Sequence, residues 1–424
     1  MSRTSTHRIR RAGLAAALLA LAPAQAALAH GDHDHGHEPD TARLVGRAVL
    51  PVATYAPGPP SGAFYPVPPG LTPPDVVNGI KFPTPSQPVE GFSAVVEGRR
   101  PGEYLAMTDN GFGGKATSPD FLIRAYYVRP DFKTARGGSG GVALGEFVQF
   151  RDPMGVIGFP IVREGTRERW LTGGDIDPES FQRDGRGDLW VGDEFGPWIL
   201  HFDAFGRLLE PPIGLPDGVT LTGTLMSPNN PFLNGAANSV PNSRGIEAMA
   251  LTPDGRSLIV VLEGAVIGDD PSSRRVLRFD TRRRQFTRLA DYVVDAPARM
   301  IADAQATDDD RLLVIERDGG LGATAVARPV YSVELAPAGG ATSKTLVVEL
   351  AAIPDPDLIS LPEIHPGDIG LGDPFRVTCE SIESLRLLRH DRMLLTCDNN
   401  FPNKGRNPSL ADDTEMIVVE APGI

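Results

Sequence analysis

Five times along this chain an acidic residue opens one apolar run and a second acid closes another run shortly afterwards. The copies are Glu90 with Asp109, Glu179 with Asp193, Glu247 with Glu263, Asp303 with Glu316, and Glu383 with Asp398, at intervals of 19, 14, 16, 13 and 15 residues. Each interval fits two short strands joined by a turn. Turn sequences such as Pro253-Asp254-Gly255-Arg256, Asp308-Asp309-Asp310-Arg311 and Arg389-His390-Asp391-Arg392 fall midway between the acids. In an antiparallel hairpin the start of the first strand neighbours the end of the second. Both acids of a copy should therefore sit at one end of their hairpin, and hairpins arranged radially would gather them at one mouth.

The remaining sequence supports an all-β architecture. Short β-like runs such as Leu122–Val128, Ser257–Leu262, Val276–Asp280, Arg311–Ile315 and Val330–Leu335 are broken by turns, and 47 Gly and 40 Pro leave little room for helix. Each acid-paired hairpin is followed by further strands, so four strands per unit, repeated radially, describes a β-propeller. Repeat starts at residues 90, 179, 247, 303 and 383 are widely spaced. Long decorating loops, or a sixth degraded unit, must fill the gaps, which leaves five or six blades open. Prolines crowd Pro51 to Pro88 and indicate a surface loop. Before it, Arg43–Leu50 alternates like a strand and is expected to complete the blade that ends in Glu415–Glu420.

The first 29 residues read as a secretory signal peptide, with Arg3, Arg8, Arg10 and Arg11 before the apolar stretch Ala12–Leu21. Ala27-Leu28-Ala29 is the expected cleavage site and Ala24-Gln25-Ala26 the alternative. Residues 30–41 form a leader whose His30, His33, His35 and His37 could bind a transition metal or be incidental. Residues 42–424 are expected to be a single propeller domain. The full chain carries a net charge of −13, and without the four arginines of the signal it reaches −17. That balance disfavours nucleic acid and anionic lipid as partners and favours cations. No later stretch is long and apolar enough to span a bilayer, and the chain is expected to act as an exported monomer, in the periplasm or the medium. Export would permit Cys379 and Cys397, the two cysteines present, to pair.

Several strings carry a resemblance to a known family. Asp177-Pro178-Glu179-Ser180, Leu189–Pro197 (through Gly192-Asp193-Glu194-Phe195-Gly196), Arg244–Arg256 and Leu395–Phe401 resemble the signatures of the bacterial proteins called "esterase-like activity of phytase". The resemblance spans about residues 85 to 420 and implies an exported, calcium-linked propeller that hydrolyses phosphoesters or related esters. It assigns no catalytic residue, so the expected roles rest on chemistry. A ring of carboxylates is mutually repulsive unless protonated, paired or neutralised by a cation. Oxygen ligands select Ca²⁺, with Mg²⁺ as the other candidate. The ten repeat acids are the candidate metal ligands, and Glu179, Asp193 and Glu247 the candidate catalytic residues. Arg244 and Arg317, each near a repeat acid, are candidate clamps for a small-molecule phosphoester or ester. A metal-dependent lactonase and a non-enzymatic metal- or partner-binding propeller remain as alternatives. Gly137-Gly138-Ser139-Gly140-Gly141 imitates a serine-hydrolase motif, but lies in a Gly-rich linker without the flanking strand and helix that a nucleophile elbow needs.

Overall fold

The computed structural model describes residues 41–217, 221, 223–336, 342–389 and 391–424. The signal peptide, the leader histidines His30, His33, His35 and His37, and His390 lie outside them. The regular secondary structure of the described chain is almost entirely β. Its only helical element is a short 3-10 turn, Gly322–Thr324. No helix among the described residues is long and apolar enough to cross a membrane.

The chain starts with β1 (Arg43–Leu50) and then passes through the proline-rich segment, whose two-residue strands β2 (Tyr55–Ala56), β3 (Val76–Val77), β4 (Ile80–Lys81) and β5 (Gln87–Pro88) pair locally. Five antiparallel units follow. The first comprises β6 (Ala94–Glu97), β7 (Tyr104–Met107), β8 (Arg124–Asp131) and β9 (Gly141–Gln149). The second comprises β10 (Pro178–Arg183), β11 (Leu189–Asp193), β12 (Trp198–Phe202) and the short β13 (Ile213–Gly214). The third is β14 (Ile246–Leu251), β15 (Ser257–Leu262), β16 (Ser273–Asp280) and β17 (Gln285–Val293). The fourth is β18 (Met300–Ala306), β19 (Arg311–Arg317), β20 (Pro329–Glu334) and β21 (Ser343–Glu349). The fifth is β22 (Ser381–Leu388), β23 (Arg392–Asp398) and β24 (Thr414–Glu420), completed by β1 from the other end of the chain. Arg43 pairs with Glu420 and Leu50 with Thr414, as the alternation of Arg43–Leu50 led us to expect. A parallel contact of β1 with β9 joins the first and fifth units into one eight-stranded sheet.

The first strands of the units touch in sequence, β6 to β10, β10 to β14, β14 to β18, β18 to β22 and β22 back to β6, which closes a ring. Packing explains why strands such as Ser257–Leu262 are apolar at nearly every position. Ile259 and Val261 face a core shared with Ile301, Ala304 and Val314 of the fourth unit. Leu258, Val260 and Leu262 face a core shared with Trp190 and Ile199 of the second. A strand buried on both faces loses the polar alternation of a surface sheet. The wide spacing of the repeats is taken up by long connections between units, including residues 215–245 and 350–380, and by no further four-stranded sheet among the described residues. Of the Gly137–Gly141 segment, residues 137–140 lie in the turn between β8 and β9, and Gly141 opens β9.

Candidate metal centre at the acidic mouth

In four units the first strand carries a β-bulge at the same height. The pairing shifts between Pro178 and Ser180, Ile246 and Ala248, Ile301 and Asp303, and Ile382 and Ser384. The extra residues are Glu179, Glu247, Ala302 and Glu383. A bulge frees one residue from the ladder and re-aims its side chain, and three of these four are glutamates directed to the ring's centre. The residue that follows the bulge's partner in the second strand is Glu194, Glu263, Arg317 and Asp398 in turn. The first unit adds Asp109 and Asn110, which follow β7.

All of these side chains except Ala302 line one cavity of about 360 Å³, together with Asp177, Arg244, Glu380 and Asn400. Nine carboxylates face two guanidinium groups there. Three overlapping sets bring carboxylate oxygens within 4.8 Å of one another: Asp109, Asp177 and Glu179; Glu179, Glu247 and Glu383; and Glu194, Glu247 and Glu263.

Some of these oxygens are already partnered. Asp177 Oδ1 accepts from Asn110 Nδ2 at 2.7 Å, Asp109 Oδ1 from the Gly111 N–H at 2.7 Å, and Glu194 Oε1 from the Gly245 N–H at 2.7 Å. Glu263 accepts from both arginines, from Arg244 Nη1 at 2.6 Å and from Arg317 Nη2 at 2.8 Å. Others are buried with no partner, namely Glu179 Oε2, Glu247 Oε1 and Glu383 Oε2. A buried oxygen without a donor is strongly disfavoured as an anion. Burial, reinforced by neighbouring carboxylates, accordingly holds Asp177, Glu179, Glu194, Glu247 and Asp398 well above the usual carboxylate range. Glu383 is pushed up to about 7 by burial, against the pull of Arg317. The Arg317 guanidinium is itself buried, but Glu263, Glu383 and Glu247 outweigh that penalty and raise its pKa. The donors are all oxygen, several are orphaned, and they converge from different units. This chemistry fits a hard divalent cation such as Ca²⁺ or Mg²⁺.

Of the acids singled out in the sequence, Asp109, Glu179, Glu247, Glu263, Glu383 and Asp398 meet at this cavity, as do Arg244 and Arg317. Glu90, Asp193, Asp303 and Glu316 do not line it. Glu90 is 1% exposed, both of its carboxylate oxygens lack a partner, and burial beside Asp109 and Asp398 raises its pKa strongly. Asp193 accepts the Asp177 N–H at 2.8 Å and the Gly196 N–H at 2.6 Å, so it holds the backbone that presents Asp177 and Glu194. Asp303 accepts the Leu385 N–H of the fifth unit at 2.7 Å. Glu316 accepts from the Tyr292 hydroxyl at 2.6 Å and is paired with Lys344. Asp193, Asp303 and Glu316 thus have backbone or side-chain donors of their own, away from the cavity.

Asp177, Asn110, Glu194, Glu380 and Asn400 were missed as site residues. Asp177 was legible in principle, since it stands in the string Asp177-Pro178-Glu179-Ser180 immediately before β10. Glu194 was not, because Asp193 and Glu194 are adjacent acids on opposite faces and only the pairing says which faces the mouth. Of the remaining histidines, His201 binds Glu210 Oε1 through Nδ1 at 2.7 Å and His365 binds Asp413 through Nε2 at 2.9 Å; neither lines the cavity. Cys379 and Cys397 form a disulfide that brackets β22 and part of β23.

A sequence model described as "Phytase-like: Esterase-like activity of phytase" matches residues 87–401. No curated protein matches the chain. Solved structures similar to it include a luciferin-regenerating enzyme, at 10% identity over 78% of this chain and 77% of that one, with a TM-score of 0.33. Another is a protein from Lactobacillus plantarum, at 14% identity over 78% and 75%, with a TM-score of 0.31. A third is the extracellular domain of a putative hybrid two component system from B. thetaiotaomicron, at 11% identity over 74% and 32%, with a TM-score of 0.31.

Proposed function

Since the chain belongs to the phytase-like family described by esterase-like activity, we propose that it is an exported, calcium-dependent hydrolase of phosphomonoesters and related esters. Its scaffold in this reading is a β-propeller of five four-stranded blades, supported by the closed ring of contacts among β6, β10, β14, β18 and β22. The observation that carries the functional half is the convergence of Glu179 Oε2, Glu247 Oε1 and Glu383 Oε2, all unpartnered, in carboxylate sets of metal-binding dimensions.

Asp109, Asp177 and Glu179 would hold the ion, with Glu247 and Glu383 completing its surroundings. A divalent cation bound there supplies Lewis-acid polarisation of the ester and a more acidic water. Glu179, which belongs to two of the three sets and is only partly buried, is placed to accept a proton from an attacking water. Arg244, whose side chain is 36% exposed at the rim, can meet an anionic oxygen of the substrate while Glu263 holds it in place. Asp193 fixes the turn behind Glu194 and takes no part in the reaction. Export is supported by the signal-like residues 1–29 and by the Cys379–Cys397 bond, which an oxidising compartment preserves.

One observation favours a second reading, a metal-dependent lactonase. Arg244 and Arg317 both point at Glu263, so little positive charge is left for a phosphate dianion, and a neutral lactone would meet less repulsion. The test is turnover of a chromogenic phosphomonoester, a chromogenic carboxyl ester and a lactone by the purified mature chain, with Ca²⁺ and with chelator. Phosphomonoester or carboxyl-ester hydrolysis that disappears on chelation and in Glu247→Gln supports the first reading. Hydrolysis of the lactone alone supports the second, and no turnover with calcium bound leaves a binding role and sinks both.

A further inference from the structure

The fourth unit is the exception among the four that carry the bulge. At the bulge, where its counterparts carry Glu179, Glu247 and Glu383, it has Ala302, and at the end of its second strand, where they carry Glu194, Glu263 and Asp398, it has Arg317. Two residues before the bulge it places Met300 at the cavity wall. The fourth unit therefore contributes no carboxylate at these positions and one fixed positive charge.

A single nitrogen of that charge, Arg317 Nη2, lies 2.8 Å from Glu263 Oε1, 3.4 Å from Glu383 Oε1 and 3.9 Å from Glu247 Oε1. These carboxylates come from the two flanking units. They surround the nitrogen as oxygen ligands surround a cation, while no arginine among the described residues forms an ion pair with Asp109, Asp177 or Glu179. Glu247 and Glu383 are 2% and 5% exposed, and each directs an oxygen with no hydrogen-bond partner into the cavity. Two glutamates in this state beside a guanidinium are only partly compensated by it.

We infer that Arg317 is a built-in cation. It fills the ion position among Glu247, Glu263 and Glu383 and confines exchangeable divalent ions to the side of Glu247 and Glu383 that faces Glu179, Asp109 and Asp177. Removing its charge while keeping a polar side chain opens an additional divalent-cation site among Glu247, Glu263 and Glu383. The inference rests on the reading of the mouth as a cation site, and it makes the protein's ion count a property of one residue. It also assigns Arg317 a role other than a substrate clamp, because its Nη2 faces three carboxylates and its Nε is buried.

Bound Ca²⁺ per chain, measured by equilibrium dialysis with elemental analysis, tests this on the mature wild type, Arg317→Gln and Arg317→Lys. The expected result is one more equivalent in Arg317→Gln than in wild type, and the wild-type number in Arg317→Lys, whose ammonium keeps the charge. A wild type that binds calcium together with an Arg317→Gln variant that binds the same number or fewer overturns the inference and leaves the proposed function standing. A wild type that binds none overturns the proposed function, whatever the variant does. Should Arg317→Gln be unfolded in chelator, the inference requires Ca²⁺ to restore its thermal transition; a variant that stays unfolded in both conditions contradicts it.

Discussion

Arg47 Nη2 lies 2.6 Å from Glu415 Oε1, across the seam where the first strand of the chain pairs with the last. Glu415 is also paired with Arg406, whose Nη2 is 2.6 Å from Oε2, and all three side chains are buried. Burial alone would raise this carboxyl, but the two guanidinium groups win and lower it from 4.5 to about 2. Glu415→Gln would leave two buried arginines without a counter-charge, a loss of about 3–5 kcal/mol. A depressed folded pKa stabilises above the unfolded value and is lost as pH falls through the folded one. The gap between wild type and variant in urea unfolding should therefore be full at pH 7 and shrink as pH falls below 4.5 toward 2. An unchanged midpoint at pH 7 would show that the seam does not depend on this pair.

The mouth carboxylates have the opposite sign. Glu383 rises from 4.5 to about 7 on folding, so the folded state binds its proton more tightly than the unfolded chain does. That contribution is fully present below 4.5 and is lost as pH rises through about 7. In chelator the melting temperature should fall across this window. With Ca²⁺ the fall should be reduced or reversed, because the ion takes the place of protons that leave. Parallel melts with and without Ca²⁺ across the window check this; identical pH profiles in the two buffers would exclude a cation at the mouth.

Asp303 and Glu247 stand at corresponding places in the sequence repeat and at different places in the fold. Asp303→Ala removes the acceptor of the buried Leu385 N–H and should lose about 1–3 kcal/mol of stability while leaving calcium affinity unchanged. Glu247→Gln removes a charge from an oxygen set shared by two candidate ion groups and should weaken calcium binding by about tenfold or more. In chelator it should leave the fold as stable or more so, because a raised-pKa carboxylate has been neutralised. Calorimetric titration beside thermal melts separates the two effects, and equal losses of affinity in both variants would contradict the bulge register.

The Cys379–Cys397 bond closes a loop of 18 residues that carries Glu380 and Glu383, with Asp398 immediately beyond it. Chain-entropy arguments give such a closure about 3 kcal/mol. Cys379→Ser with Cys397→Ser should lower the unfolding free energy by about that amount and also reduce calcium affinity, since both ends of the strand pair that supplies Glu383 and Asp398 become less constrained. Wild-type affinity in the double variant would show that β22 and β23 hold their acids without the bond.

Much of this was legible from local pattern. The turn Pro253–Arg256 between two apolar runs marked a hairpin, and β14 and β15 flank it. The alternation of Arg43–Leu50 identified a strand without a local partner, and it pairs with β24. Asp303, Glu316 and Asp193 show where local pattern stops. The second acid of the second unit and both acids of the fourth are one residue out of step with those of the third and fifth. Glu194, rather than Asp193, corresponds to Glu263, while Ala302 and Arg317 hold the places that Asp303 and Glu316 were expected to fill.

By itself the sequence determined an all-β chain of repeated antiparallel hairpins, closed by its first strand, with acids concentrated at one end of each hairpin. These follow from strand periodicity, turn chemistry and apolar patterning, which act over a few residues. The tertiary structure alone decided which acid of each neighbouring pair faces the mouth. Side chains alternate across a strand, so a slip of one residue sends a carboxylate to the opposite face. The bulges that set the slip at Glu179, Glu247, Ala302 and Glu383 exist only in the pairing between strands. The meeting of Arg317 with Glu247, Glu263 and Glu383 depends on the packing of the third, fourth and fifth units, which brings together charges as far apart along the chain as Glu247 and Arg317.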